Sequence, residues 1–260
     1  MVRVMITGSS GGLGLMAGRL LAEQGHAVTL HARTERRAED ARAALPQAEG
    51  VLVGDVSTLA AMRDVAGQAN ASGPFDAVVH NVGLGYREPR RVETTDGLCQ
   101  LWAVNVLAPY VLTALVDRPT DRPQRLVYLS SGMHLGADPT LQDLQWTTRR
   151  WNGAQAYSDT KLHDVLLAFG VARRWPDVRS NVVSPGWVAT RMGGRGAPDD
   201  LDQAHRTQAW LATSDDPAAH GTAGFYYHEQ PGELHPLARD RDLQDQLLAR
   251  CRQVSGTGLG

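Results

Sequence analysis

A short apolar run, Val2–Ile6, leads straight into Thr7-Gly8-Ser9-Ser10-Gly11-Gly12-Leu13-Gly14, and a helical pattern over Leu13–Gln24 follows. This strand, glycine turn and helix constrain the fold more than any other feature of the chain. Glycines let a turn tighten and let backbone approach a diphosphate closely, and the helix N-terminus behind them offers N–H groups and a positive dipole end. The unit then repeats. Ala27–Ala32, Val51–Val53, Asp76–His80, Arg125–Leu129 and Arg179–Val183 read as strands. Glu35–Leu45, stopped by Pro46, and Thr58–Ala71, Thr95–Val116 and Ala154–Arg174 read as the helices between them. Such alternation predicts an α/β fold with a doubly wound parallel sheet, flanked by helices on both faces, whose ligand cleft lies at the carboxyl ends of the strands.

Toward the C-terminus, Leu201–Leu211 is a possible helix, Phe225–His228 a final strand and Leu243–Cys251 a last helix, with Ser255–Gly258 as a loose tail. Neither a repeat nor a linker divides the chain, so 1–260 reads as one domain. A hydrophobic fraction of 42% supports a real core, and a net charge of −2 gives no reason to expect nucleic-acid or membrane-surface partners. Two cysteines, Cys99 and Cys251, fit a reducing compartment. With neither a signal-peptide layout nor a long apolar span, the expectation is a cytoplasmic protein. None of the nine His residues shows metal-ligand spacing, so no metal is expected. The 26 basic residues are 25 Arg and a single Lys, Lys161.

The second strand ends Leu30-His31-Ala32-Arg33. An NAD site needs a carboxylate here, about 20 residues beyond the glycines, to bond the ribose 2′-OH. Arg33 stands there instead, and a cation can accept a 2′-phosphate, so NADP(H) is favoured over NAD(H), with Arg36 or Arg37 able to add charge. Further on, Tyr157 and Lys161 are four residues apart in a helical pattern and therefore share a face. A free Tyr has a pKa of about 10, and a cation within about 4–6 Å can lower it by about 1–3 units. An ammonium also has three donors to offer a ribose, which an arginine fork would present in a different shape.

The series Thr7-Gly8-x-x-x-Gly12-x-Gly14, Gly54-Asp55-Val56, Asn81-Val82-Gly83, Asn105, Ser131, Tyr157-x-x-x-Lys161 and Pro185-Gly186 appears in register. In this order the chain resembles the short-chain dehydrogenase/reductase family in its compact Rossmann-fold form, from Val2 to about Thr190. The resemblance implies a catalytic set of Asn105, Ser131, Tyr157 and Lys161. Ser131 would hold the substrate oxygen, with Ser130 as its rival. Asn105 would kink its helix and hold a water linking Lys161 to solvent. It also implies that Gly8, Ser9, Ser10, Gly12, Leu13 and Gly14 surround the cofactor diphosphate, and that Gly83 is a further cofactor-binding position. Asp55 and Val56 would hold the adenine, and Asn81 would support the turn beside the adenosine ribose. Pro185, Gly186, Val188 and Thr190 would pass the nicotinamide.

These parts imply an NADPH-dependent oxidoreductase acting on a small-molecule carbonyl or alcohol, with Tyr157 carrying the proton. His134, Leu84, Tyr86, Trp187 and Met192 are pocket candidates that suggest an apolar substrate, and 192–216 is the expected substrate lid. The 25 residues between Ser131 and Tyr157 form an unusually long segment, as in retinol-dehydrogenase-like and carbonyl-reductase-like members. Lying just before the Tyr157 helix, it would obstruct the helix pairing many members use, so a monomer or dimer is expected rather than a tetramer. Two other readings are a non-catalytic NADP(H) sensor, which usually lacks the Tyr or Lys present here, and another reaction on this fold, such as epimerisation or dehydration, whose enzymes usually carry a larger C-terminal domain.

Overall fold

The computed structural model describes residues 1–116 and 122–260. Its centre is an eight-stranded sheet in the order β3-β2-β1-β4-β5-β6-β7-β8. The strands are β1 (Arg3–Ile6), β2 (Ala27–Ala32), β3 (Gly50–Val53), β4 (Ala77–His80), β5 (Arg125–Leu129), β6 (Arg179–Val183), β7 (Phe225–Tyr227) and β8 (Gln230–Pro231). All pairings are parallel except the last, an antiparallel β7–β8 edge that the sequence reading does not anticipate. The order reverses between β1 and β4, which opens the crevice of a doubly wound sheet at their carboxyl ends.

Helices α1 (Gly12–Glu23), α2 (Glu35–Ala44), α3 (Leu59–Ala71), α4 (Gln100–Trp102), α5 (Ala108–Leu115), α6 (Gly153–Arg174), α7 (Arg206–Thr213) and α8 (Arg241–Ser255) complete the chain. Period-2 alternation divides the strand residues between two cores. Val4, Ile6, Val79, Val127 and Val183 pack with Leu21 of α1 and Leu211 of α7, whereas Met5, Val78, Leu126 and Tyr128 pack with Trp102, Leu112, Leu162 and Val165. Burial on both faces explains the near-continuous apolar strands read in the sequence.

Three differences from the sequence reading have physical causes. The helix expected from Thr95 begins at Gln100, because Gly97 takes a left-handed φ of +76° in a turn closed from Thr94 to Leu98. It is also interrupted, with a π-helical turn over Ala103–Leu107 between α4 and α5. The tail beyond Ser255 is not loose. Gly256 ends α8 with a φ of +68°, and the Tyr110 hydroxyl donates to Thr257 O at 2.8 Å. Finally, the second half of the expected lid is a packed element: α7 buries Ala209, Leu211 and Ala212 against the core beside α1. Gln208 on the same helix reaches the glycine turn, donating to Leu13 O at 3.2 Å.

The long segment before α6 folds back onto that helix. Asp143 accepts from the backbone N–H groups of Thr147, Thr148 and Arg149 at 2.8, 3.0 and 3.0 Å. Arg149 lies 3.8 Å over the Trp146 ring and reaches Asp138 and the buried Asp159 of α6, each at 3.2 Å.

Candidate active site

The crevice is built around a close approach of backbone to backbone. Gly8 has a φ of +63°, and a Cβ there would fall 2.8 Å from Val82 Cα, so only glycine fits. Asn81 fastens the junction: its side-chain amide donates to Thr7 O and Gly8 O, both at 3.0 Å. The Thr7 hydroxyl accepts from the N–H groups of Asn81 and Val82 at 3.0 and 3.1 Å. Gly14 is held to the same standard, since a Cβ would meet Asn81 Nδ2 at 2.5 Å. The N-terminus of α1 has neither a side-chain cap nor an acidic residue in its first turn, and a Cβ on Gly11 or Gly12 would meet no atom within 4 Å. The loop therefore presents free N–H donors to open space, which fits an anionic diphosphate.

A residue the sequence reading passed over completes this loop. His31, 1% exposed at the end of β2, accepts from Gly8 N–H at Nδ1 and donates from Nε2 to Gly54 O, both at 3.0 Å. That pattern fixes the neutral tautomer, and burial lowers the His31 pKa. Ser9 belongs to the same network. Its hydroxyl donates to Ile6 O at 2.7 Å and accepts from His31 N–H at 2.8 Å, so it stiffens the turn from inside instead of facing the cleft. Ser10 and Leu13 are half-buried, and Leu13 O accepts from Gln208 Nε2 at 3.2 Å. Arg33 and Asp55 face one another at the next strand ends, 4.0 Å apart, with side chains 68% and 51% exposed. Val56 is buried behind them.

On the other side of the crevice, α6 delivers Tyr157 and Lys161 to the carboxyl end of β5. The Lys161 Nζ lies 5.6 Å from the Tyr157 ring centroid and donates to Leu129 O at 2.7 Å. Gly83 passes directly above: a Cβ on it would come within 3.9 Å of Lys161 Nζ. The two serines separate cleanly. Ser130 is buried and donates to Lys161 O at 2.7 Å, whereas the Ser131 hydroxyl accepts from Met133 N–H at 3.2 Å and acts on Tyr157 to lower its pKa. Burial raises the Tyr157 pKa and outweighs the opposing effects of Lys161 and Ser131, so the phenol stays protonated at neutral pH. The lowering expected from Lys161 alone is thus not the net result.

Asn105 lies on the π-helical turn, 1% exposed, with its amide fully engaged. Its Oδ1 accepts from Leu84 N–H at 2.7 Å, and its Nδ2 donates to Leu84 O and Thr160 Oγ1, both at 3.1 Å. It therefore clamps the β4 loop onto α6.

The loop after β6 carries Pro185 and Gly186, whose φ is +82°. Its backbone is tied by Asp199, another residue without a sequence signal: Trp187 N–H donates to Asp199 Oδ2 at 2.6 Å, and Val188 bridges to Asp199. The Thr190 hydroxyl accepts from Gly193 N–H at 3.1 Å. Tyr86 meets Tyr157 edge-on with centroids 5.8 Å apart, and Trp187 and Met192 are 53% and 36% exposed at the mouth. His134 does not join them. It is fully buried, donating from Nδ1 to Ser131 O at 2.7 Å and accepting from His235 N–H at 3.3 Å, and it packs on Phe225. Its place after Ser131 puts it under the loop, where it ties the serine to the C-terminal segment. A groove of about 580 Å³ between Pro139–Gln142 and α8 contains none of the motif residues. Among the described residues no three His, Cys, Asp or Glu side chains converge as a metal site, and no helix is long and apolar enough to cross a membrane.

The family model for short chain dehydrogenases matches residues 3–134, which hold the glycine turn, Asn81 and Ser131. An uncharacterized oxidoreductase of Emericella nidulans is 43% identical over 262 residues, covering 100% of this chain and 99% of its own length. The short-chain dehydrogenase chyC of Penicillium rubens is 38% identical with the same coverage, 100% and 99%. A crystal structure of an uncharacterized protein from Mycobacterium paratuberculosis superposes with a TM-score of 0.83 at 27% identity, covering 100% of this chain and 95% of that one. A glycine turn that only glycine can make, a Tyr and Lys brought to the end of β5 and end-to-end similarity to these proteins lead to one conclusion: the chain belongs to the short-chain dehydrogenase family and is an oxidoreductase.

Proposed function

We propose that the protein transfers a hydride between NADP(H) and a carbonyl or alcohol substrate, with Tyr157 as the group that gives or takes the proton. The observation that carries this reading is the buried Tyr157 ring 5.6 Å from Lys161 Nζ, with Lys161 and Ser131 both acting to lower the pKa of its phenol. The cofactor, when bound, supplies or accepts the hydride, and the protein provides placement and proton control. Gly8, Gly12 and Gly14 would admit its diphosphate to the N-terminus of α1, Asp55 and Val56 would meet the adenine, and the Pro185–Thr190 loop would border the nicotinamide. Ser131 would donate to the substrate oxygen. Lys161 would favour the phenolate left after Tyr157 gives up its proton. Burial keeps the phenol protonated at neutral pH, which is the form that reduction requires.

Arg33 supports NADP(H) over NAD(H). Its pairing with Asp55 is long and exposed, and such pairs contribute little, so the guanidinium is free to turn to a 2′-phosphate. Tyr86, Trp187 and Met192 at the mouth favour an apolar ketone or aldehyde. The covering of α6 favours a monomer or dimer. The long segment lies across its N-terminal half, and α8 lies across its C-terminal half, where Leu248 leaves no room for a Cβ on Gly170.

Tyr157→Phe is expected to lower kcat/KM by at least about 100-fold while leaving NADPH affinity nearly unchanged, measured by NADPH oxidation and fluorescence titration. Near-normal turnover would overturn the proton role. Arg33→Ala is expected to weaken NADPH binding about tenfold and leave NADH binding unaltered; equal losses would remove the phosphate assignment. Light scattering should return the mass of one or two chains, and a tetramer would contradict the covered-helix argument.

A further inference from the structure

One buried acid lies beside the Tyr157–Lys161 pair. Asp164 lies one turn beyond Lys161 on α6, and its Oδ2 accepts from Lys161 Nζ at 2.8 Å. The two side chains are 3% and 5% exposed. Its other oxygen, Oδ1, has no hydrogen-bond partner and no solvent contact. A carboxylate buried with one oxygen unsatisfied is destabilising in itself, so the packing tolerates it only for the sake of its single partner.

The surroundings leave that partner unambiguous. The titratable groups that interact with Asp164 are Lys161 and Tyr157 on α6 and Tyr128 on β5. Tyr128 donates or accepts at Thr113 Oγ1 across 2.7 Å, and Thr113 in turn bonds His80 Nε2 at 3.0 Å. Burial holds His80 and the adjacent His163 neutral, with pKa values of about 3, and keeps both tyrosines protonated. Lys161 is the only cation facing this carboxylate among the described residues. From the amine's side, two of its three donors are directed, to Leu129 O and to Asp164, which leaves one for a further acceptor.

We propose that Asp164 is a positioning residue of the catalytic pair: its buried carboxylate is the counter-ion that keeps the Lys161 amine protonated and aimed at the cleft before any dinucleotide binds. The proposal rests on the oxidoreductase reading for its consequence, but not for its test. Burial alone would drive the proton off the lysine; the charge of Asp164 reverses that and raises the Lys161 pKa. The carboxylate itself is pushed up by burial to about 6, so the pair exists in charged form above that pH.

The chain contains one lysine, so protein labelled with ¹⁵N-lysine gives a single ε-amine resonance by NMR. In the wild-type protein without cofactor, its titration midpoint is expected above 10.5, the ordinary lysine value. Asp164→Asn keeps the shape and the hydrogen bond but removes the charge, and should lower the midpoint by at least about two pH units. An unchanged midpoint in a folded variant overturns the proposal. If the variant does not fold, the wild-type protein decides alone. Its ε-ammonium resonance should shift between pH 8 and 5 as Asp164 takes a proton near 6, and a resonance indifferent across that range overturns the assignment. Neither readout depends on turnover. A lysine that behaves as expected in a protein without carbonyl reductase activity would sustain the ion pair and remove only the proposed reaction.

Discussion

The structure at the cleft is organised by one buried ammonium. Taking a lysine amine out of water is unfavourable by several kcal/mol unless it is paired and hydrogen-bonded. Lys161 meets this demand with groups from separate parts of the fold: Asp164 on its own helix and the carbonyl of Leu129 at the end of β5. Around it, Ser130 holds the Lys161 backbone carbonyl, Asn105 clamps Leu84 to Thr160, and Gly83 passes above the amine. Fixing the amine therefore fixes α6 against β5, and the β4 loop against α6. Tyr157, one turn earlier on that helix, acquires its position from the same contacts.

The other half of the cleft follows a different rule. There the constraint is steric. Gly8 must come so close to Val82 that no side chain fits, and the bonds of Asn81 and His31 to the glycine turn hold that approach. The result is a helix N-terminus with free donors facing open space. A charged centre at one end and a donor cradle at the other define the span that a dinucleotide would bridge. The apolar mouth of Tyr86, Trp187 and Met192 lies beyond the reacting end.

Much of this was legible in the sequence because it depends on local patterns. β2, β5 and β6 fall where their apolar runs begin and end, since parallel strands buried on both faces leave an unambiguous signature. The glycines and the Tyr157–Lys161 spacing are local as well. What the sequence hid are contacts made by distant segments. His31 looks like one polar residue in an apolar strand, and nothing in its neighbours announces that it links Gly8 to Gly54. His134 follows Ser131 in sequence but is drawn under the loop by Phe225 and His235. The π-helical turn around Asn105 has a local part, Pro109, which offers no N–H to the Asn105 carbonyl four residues back, and a distant part, the bonds of Asn105 to Leu84 and Thr160. Asp164 left a readable trace, an acid three residues after the lysine in the apolar run from Leu162 to Leu167, on the same helix face.

If a single tyrosine carries the proton in both directions, the pH dependence of the two reactions must show it. Reduction needs Tyr157 protonated and oxidation needs it ionised, and burial has raised its pKa. The kcat/KM for carbonyl reduction with NADPH is expected to stay level through neutral pH and to fall at alkaline pH. For alcohol oxidation with NADP⁺ it should rise with pH. Reduction that speeds up as pH rises, or two profiles that fall on the same side, would contradict it.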